Sequence, residues 1–378
     1  MQKILSSKKN YIDLKKYLQN NKYQNILLVC GNHFLKSDLY KKIIEYTNNL
    51  NINIHIFKDF EPNPSYESVC LGVKKFIDNN CDFIIAVGGG SSIDVAKCIK
   101  LYSNMDHSKN YLNQEFIPNN TKILAIPTTA GTGSEATKYS VIYYKGEKQS
   151  ITSDSCIPEI VLFDNNSLET LSIYQKKATL LDAFSHSIES LWSINSTEES
   201  INYAIESIKL IIKNINKYLE NDSSIFKDMF EASNLAGKAI NISRTTAGHA
   251  MCYKLTTKYN ISHGHAAMLI NSELLPYMME NTNKCSDPRG EKHLKEIFSI
   301  IKKTLKCKNN NELKNYFRNL LDKLDLYNVE VNKKDIDLLV KSVNVTRLSN
   351  NPIKLENNDI KIIYERLFDR IGDKQWRY

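Results

Sequence analysis

Glycine and proline are scarce, 13 and 8 in 378 residues. That excludes a collagen-like chain or a low-complexity linker. Long apolar runs are missing too. The longest are strand-sized, such as Ile26–Cys30, far below the ~20 residues of a membrane-spanning helix. Residues Met1 to Lys9 hold no apolar core of signal-peptide length, so a cytoplasmic protein with no membrane partner is expected. The eight cysteines include no C-x-x-C pair, which excludes a zinc ribbon or thioredoxin motif. Reduced thiols are expected, several of them acting as small hydrophobes. Lys and Arg outnumber Asp and Glu by 50 to 42, but only as scattered pairs such as Lys176-Lys177. No block of like charge marks a nucleic-acid surface, so no nucleic-acid partner is expected.

What is present is globular: 42% apolar and 24% charged residues, in a length that suggests two domains. Ile26–Cys30, Asn53–Phe57, Phe83–Val87 and Ile123–Ile126 read as strands. Amphipathic stretches, among them Tyr66–Asp78, separate them. This alternation implies right-handed βαβ units and a parallel sheet. After about Asn165 long helical patterns take over, including Tyr174–Ser193, Glu198–Leu219 and Ser223–Ile242. Ser196 with Glu199 reads as a capping box. The expected organisation is an α/β dinucleotide-binding domain over residues 1–164 and an all-α domain over 165–378.

The Phe83 strand runs into Gly88-Gly89-Gly90-Ser91-Ser92, then into a helical pattern. Glycines let backbone approach an anion, and a new helix offers free N–H groups. A second loop, Pro127-Thr128-Thr129-Ala130-Gly131-Thr132-Gly133-Ser134, follows the Ile123 strand. Two such loops at the ends of parallel strands fit a dinucleotide site.

Asp182 and His186 share one helix face at i, i+4. His249, His263 and His265 add three imidazoles. A set of nitrogen and oxygen donors suits Fe(II), Zn, Ni or Mn better than Mg or Ca.

Gly88–Lys97, Pro127–Thr137, Asp182–Glu189 and His249–His265 together resemble the iron-dependent (group III) alcohol dehydrogenases, in that family's order and across most of the chain. The resemblance implies a Rossmann-like N-terminal domain and a helical C-terminal domain, the dehydroquinate synthase-like architecture. It implies NADPH or NADH beside one Fe(II), with Zn as a substitute. Asp182, His186, His249 and His263 match the metal ligands. Gly88, Gly89, Gly90 and Ser91 match the pyrophosphate cradle, with Asp94 and Lys97 in the same motif. Thr128, Thr129, Thr132 and Ser134 match the ribose and nicotinamide contacts. A homodimer is a family-level expectation.

The chain departs from the pattern twice. Many members carry a second His four residues after the third ligand, where Tyr253 stands here. Proton relay then falls to Tyr253 through water, to His265 or to the cofactor ribose. Gly31 stands where NAD-preferring members often carry an acid, which leans the expectation to NADPH.

A narrower resemblance, to the phosphonoacetaldehyde reductases, is carried by Ile240–His249, Tyr253–Thr256, Ser262–Ala266, Cys285–Gly290 and Arg347–Pro352. It implies reduction of an anionic aldehyde to a primary alcohol. Arg244 and Thr245, with Thr246 beside them, are the candidate substrate contacts, since a phosphonate wants a guanidinium fork and hydroxyls. A general short-chain alcohol dehydrogenase without phosphonate preference is the alternative. A polyol-phosphate dehydrogenase or a dehydroquinate synthase-like lyase is more distant.

Overall fold

The computed structural model describes residues 2–375. The chain forms two compact units, Met1–Thr170 and Leu171–Tyr378. The first contains β1 (Lys3–Ser6), α1 (Lys8–Asn21), β2 (Asn25–Cys30), α2 (Asp38–Asn49), β3 (Asn53–Phe57), α3 (Tyr66–Asp78), β4 (Phe83–Gly88) and α4 (Gly90–Tyr102). It continues with β5 (Lys122–Pro127), β6 (Tyr139–Tyr144), β7 (Glu147–Thr152), β8 (Ile160–Phe163) and the short α5 (Asn166–Glu169). Six strands make one parallel sheet in the order β1-β8-β5-β4-β2-β3, and β6 and β7 form an antiparallel hairpin.

Side chains alternate across this sheet. Leu27, Val29, Ile84, Ala86, Ile123 and Ala125 enter one core. Ile26, Leu28, Phe83, Ile85, Val87, Leu124 and Ile126 enter the other. Burial on both faces explains why β2, β4 and β5 read as unbroken apolar runs. The chain passes from β2 outward to β3, then returns to place β4 on the other side of β2. The glycine loop leaves β4 at this reversal of strand order, where open α/β sheets bind ligands.

The second unit is helical: α6 (Ile173–Trp192), α7 (Glu198–Leu219), α8 (Phe226–Ser243), α9 (Ala247–Tyr259), α10 (His263–Glu280), α11 (Gly290–Thr304), α12 (Asn310–Lys323), α13 (Ile336–Ser342), α14 (Val345–Leu348) and α15 (Asn357–Gln375). Residues Leu180 to Trp192 of α6 and Gly264 to Met278 of α10 are buried without a break. Both stretches are core elements buried on every face, so the polar residues on them need internal partners. The capping box of α7 is Thr197 with Ser200, not Ser196 with Glu199. Ser196 instead accepts a hydrogen bond from Arg289. Among the described residues no helix is long and apolar enough to cross a membrane.

Candidate metal centre and nucleotide loop

Two turns of α6 place Asp182, His186 and Glu189 in the core, all nine-tenths or more buried. The first turns of α9 and α10 bring His249 and His263 to them. One ligand atom each from Asp182, His249 and His263 lies within 4.8 Å of the others. His186 flanks this group, its Nε2 3.9 Å from Asp182 Oδ1 and its ring stacked on His249. The ring of Tyr253 stacks on His263 at 5.3 Å between centroids.

The helices meet closely because glycine stands at the contacts. A Cβ on Gly264 would lie 2.2 Å from the Ala178 carbonyl oxygen and 2.4 Å from Asp182 Cβ. A Cβ on Gly248 would lie 2.4 Å from Glu189 Oε1.

The donor set fits a cation. His249 Nδ1 donates to Glu189 Oε1 at 2.6 Å, which leaves Nε2 as the ring nitrogen available to a metal. His249 Nε2 and Asp182 Oδ1 face each other at 3.6 Å, and both are buried without a hydrogen-bond partner among the described residues. Buried polar atoms rarely stay unsatisfied, and a metal ion would satisfy both. Burial opposes ionisation of Asp182, but His186, His249 and His263 hold its carboxyl well below the usual range. Burial likewise works against charge on His249, yet Glu189 and Asp182 outweigh it and push its pKa up to about 9. Imidazole and carboxylate donors suit Fe(II) or Zn.

His265 is not at this centre. Its Nε2 bonds the Leu326 carbonyl at 2.7 Å and its Nδ1 meets the Tyr174 hydroxyl at 3.2 Å. With both nitrogens engaged, it braces α10 and has no free site for the proton relay expected of it.

In the first unit the two loops expected at a nucleotide come together. Thr128 N–H donates to the Gly88 carbonyl at 3.0 Å. A Cβ on Gly90 would lie 3.2 Å from the Thr132 methyl, and one on Gly89 3.5 Å from Thr129 Oγ1. Gly88 has φ +149°, and a Cβ there would strike Ser92 Oγ at 2.2 Å. No side chain caps the start of α4, so its first N–H groups suit a phosphate.

Asp94, Lys97 and Ser134 lie beneath this cradle as scaffold. Lys97 is fully buried and donates to Ser134 Oγ, Thr137 Oγ1 and the Tyr139 carbonyl. An ammonium has three N–H groups, so none remains for a phosphate. Asp94 accepts from Ser134 Oγ at 2.6 Å and Val141 N–H at 3.0 Å.

Arg244 and Thr245 occupy the link between α8 and α9. Arg244 is exposed, and its guanidinium makes no ion pair among the described residues. Its backbone lies at φ 61°, ψ 172°, a region essentially reserved for glycine.

Sequence reasoning gave no role to Glu189 or Asn271, and took Thr246 only as a substrate-facing hydroxyl. Thr246 donates to Glu189 Oε2 from both N–H (2.7 Å) and Oγ1 (2.9 Å), and Asn271 Nδ2 donates to Oε1 at 3.0 Å. Glu189 lies three residues after His186 on the same helix face, the one signal that could have marked it.

Two family models match the chain: iron-containing alcohol dehydrogenase over residues 2–165, and the C-terminal domain of the Fe-containing alcohol dehydrogenase family over 176–368. An NADPH-dependent butanol dehydrogenase of Clostridium saccharobutylicum is 30% identical over 82% of this chain and 79% of its own length. Long-chain-alcohol dehydrogenase 1 of Geobacillus thermodenitrificans is 31% identical over 68% of this chain and 66% of its own. The iron-containing alcohol dehydrogenase structure from Thermotoga maritima superposes with a TM-score of 0.77 at 27% identity, covering 97% of this chain and 98% of that one. Sulfoacetaldehyde reductase from Bifidobacterium kashiwanohense, in complex with NAD+, shares the fold with a TM-score of 0.82 at 24% identity, covering 97% and 96%. Buried carboxylate and imidazole donors, a glycine cradle at the sheet's switch point and both family matches agree: the chain belongs to the iron-containing alcohol dehydrogenases.

Proposed function

We propose that this enzyme reduces an anionic aldehyde, phosphonoacetaldehyde, to 2-hydroxyethylphosphonate with NAD(P)H. Asp182, His186, His249 and His263 hold one divalent iron, and Gly88 to Ser91 with Thr128, Thr129 and Thr132 hold the dinucleotide. When bound, the iron supplies a Lewis acid and the nicotinamide supplies hydride. The chain's own part is to fix both and to bind the anionic tail. Tyr253, beside His263, stands where proton relay through water is expected.

Arg244 carries the phosphonate reading. An arginine in a glycine-type backbone region costs of order 1–3 kcal/mol. The Arg244 side chain is exposed and has no internal ion-pair partner among the described residues, which supports a ligand role. The segments of the narrower resemblance converge on this link. Asn350 Nδ2 donates to the Thr245 carbonyl at 3.1 Å. Ser193 Oγ donates to the Ser243 carbonyl at 2.6 Å, and Arg289 grips the Ser193 carbonyl at 2.8 Å.

The test is oxidation of NADPH and NADH by anaerobic, Fe(II)-loaded enzyme on phosphonoacetaldehyde, sulfoacetaldehyde, propionaldehyde and glycolaldehyde. A kcat/KM preference of about a hundredfold for phosphonoacetaldehyde over the neutral aldehydes is expected, the scale of a charge-assisted contact. Equal rates on neutral aldehydes would return the enzyme to the general short-chain alcohol dehydrogenases. Preference for sulfoacetaldehyde would keep the anion site and change the substrate.

A further inference from the structure

We infer that Glu189 is the positioning residue of the metal centre: it fixes His249 in the Nδ1–H tautomer, aims Nε2 at the ion and raises metal affinity. This rests on the metal reading above and not on the choice of aldehyde.

Glu189 has no exposed surface. An isolated carboxylate could not stay charged there, so its surroundings must solvate it. Five contacts do so. His249 Nδ1 (2.6 Å) and Asn271 Nδ2 (3.0 Å) donate to Oε1. Thr246 N–H (2.7 Å), Thr246 Oγ1 (2.9 Å) and His249 N–H (3.3 Å) donate to Oε2. Thr246 Oγ1 is itself aimed, accepting from Trp192 Nε1 at 2.8 Å.

The geometry singles out the imidazole. The shortest contact is the one to His249, and the opposite ring nitrogen is the unpartnered atom facing Asp182. An ionised carboxylate can only accept, so a proton must sit on Nδ1, and the neutral ring that a metal requires then has its lone pair on Nε2. The hydrogen bond also makes the imidazole more basic, and loss of such a partner typically costs 10–100-fold in metal affinity. Thr246 and Asn271 keep the carboxylate from swinging away, and Gly248 leaves it room.

The test is Co(II) binding to chelator-stripped full-length enzyme, by competition with a chromogenic chelator, together with the d–d spectrum of the bound ion. E189Q keeps the shape and removes the charge. Its Co(II) Kd should rise 10–100-fold with a shifted d–d band, while its circular dichroism stays native. T246V, which removes one donor to Glu189, should weaken Co(II) in the same direction by a smaller factor. A native-like E189Q with a Kd within twofold of wild type and an unmoved band would overturn the inference. If E189Q does not fold, an unchanged Kd and spectrum in T246V would do so. Failure of the wild-type enzyme to bind one Co(II) would instead sink the metal reading itself.

Discussion

Gly264 and Asp182 are in backbone-to-side-chain contact: a methyl on the glycine would stand 2.4 Å from Asp182 Cβ and 2.6 Å from its backbone nitrogen. Neither neighbour is a flexible end, so α10 would have to retreat from α6. G264A is therefore expected to separate His263 from Asp182. Overpacking of this kind costs about 1–3 kcal/mol, and bound iron should fall with it. Thermal unfolding and metal analysis of the purified variant check this. H263A provides the contrast, losing metal and turnover with a smaller fall in Tm. Full metal occupancy in G264A would show that the helices can part without harm.

The nucleotide loop makes the opposite separation. Gly88 combines a positive φ with a neighbour at 2.2 Å, so G88A should distort the cradle and destabilise by about 1–3 kcal/mol. Its KM for NADPH should rise at least tenfold while iron content is unchanged. Steady-state kinetics with parallel metal analysis read both. An unaltered KM would place the dinucleotide elsewhere.

Arg244 should show a conflict between stability and activity. R244G relieves the backbone at φ 61° and should gain about 1 kcal/mol. The same change should raise KM for phosphonoacetaldehyde by 10–100-fold, leaving neutral aldehydes within about twofold, as expected for loss of a charge-assisted contact. Denaturant unfolding and paired substrate kinetics decide it. A variant that is more stable and equally active would make Arg244 an accident of the link.

Asp94 and Lys97 belong to the scaffold, and their variants should behave accordingly. Burial of both side chains sets the tone: it raises the Asp94 pKa and lowers that of Lys97, while each charge counters the shift of the other. D94N leaves the lysine's charge without its counter-ion, which typically costs about 3–5 kcal/mol. The loss should appear in denaturant unfolding, with bound iron per folded molecule unchanged. A fully stable D94N with weakened NADPH binding would return Asp94 to the cofactor.

Much of this molecule was legible in its sequence. Tyr66–Asp78 and Glu198–Leu219 are helices at the residues their periodicity marks, because one apolar face repeats cleanly over three or more turns. β1 escaped because its four residues carry Lys and Ser at their ends, whereas β8 is an apolar run of the same kind as Ile123–Ile126 and was simply not read. The β6–β7 hairpin escaped because its strands carry Lys, Gln and Ser among their apolar residues. At the candidate metal centre, residue type pointed to Asp182, His186, His249 and His263, which the structure brings together. It also promoted His265, two residues after His263, whose two partners lie 61 and 91 residues away in the chain. Glu189 was hidden for the same reason, since its contact with His249 spans 60 residues. Spacing along one helix cannot report which side chain another helix delivers.

Apart from the Thr246 hydroxyl, the link between α8 and α9 is held by main-chain atoms. Its anchors are the Ser243 and Thr245 carbonyls, the Arg244 N–H on the Ile240 carbonyl and the Thr246 N–H on Glu189. Among the described residues, the side chains of residues 244 and 245 take no part in that fastening. The position therefore works as an interchangeable seat, in which new side chains can retune the accepted aldehyde while the fastening to the metal's support stays in place. Libraries randomised at these two residues should accordingly yield mostly folded, metal-loaded enzymes that differ in substrate.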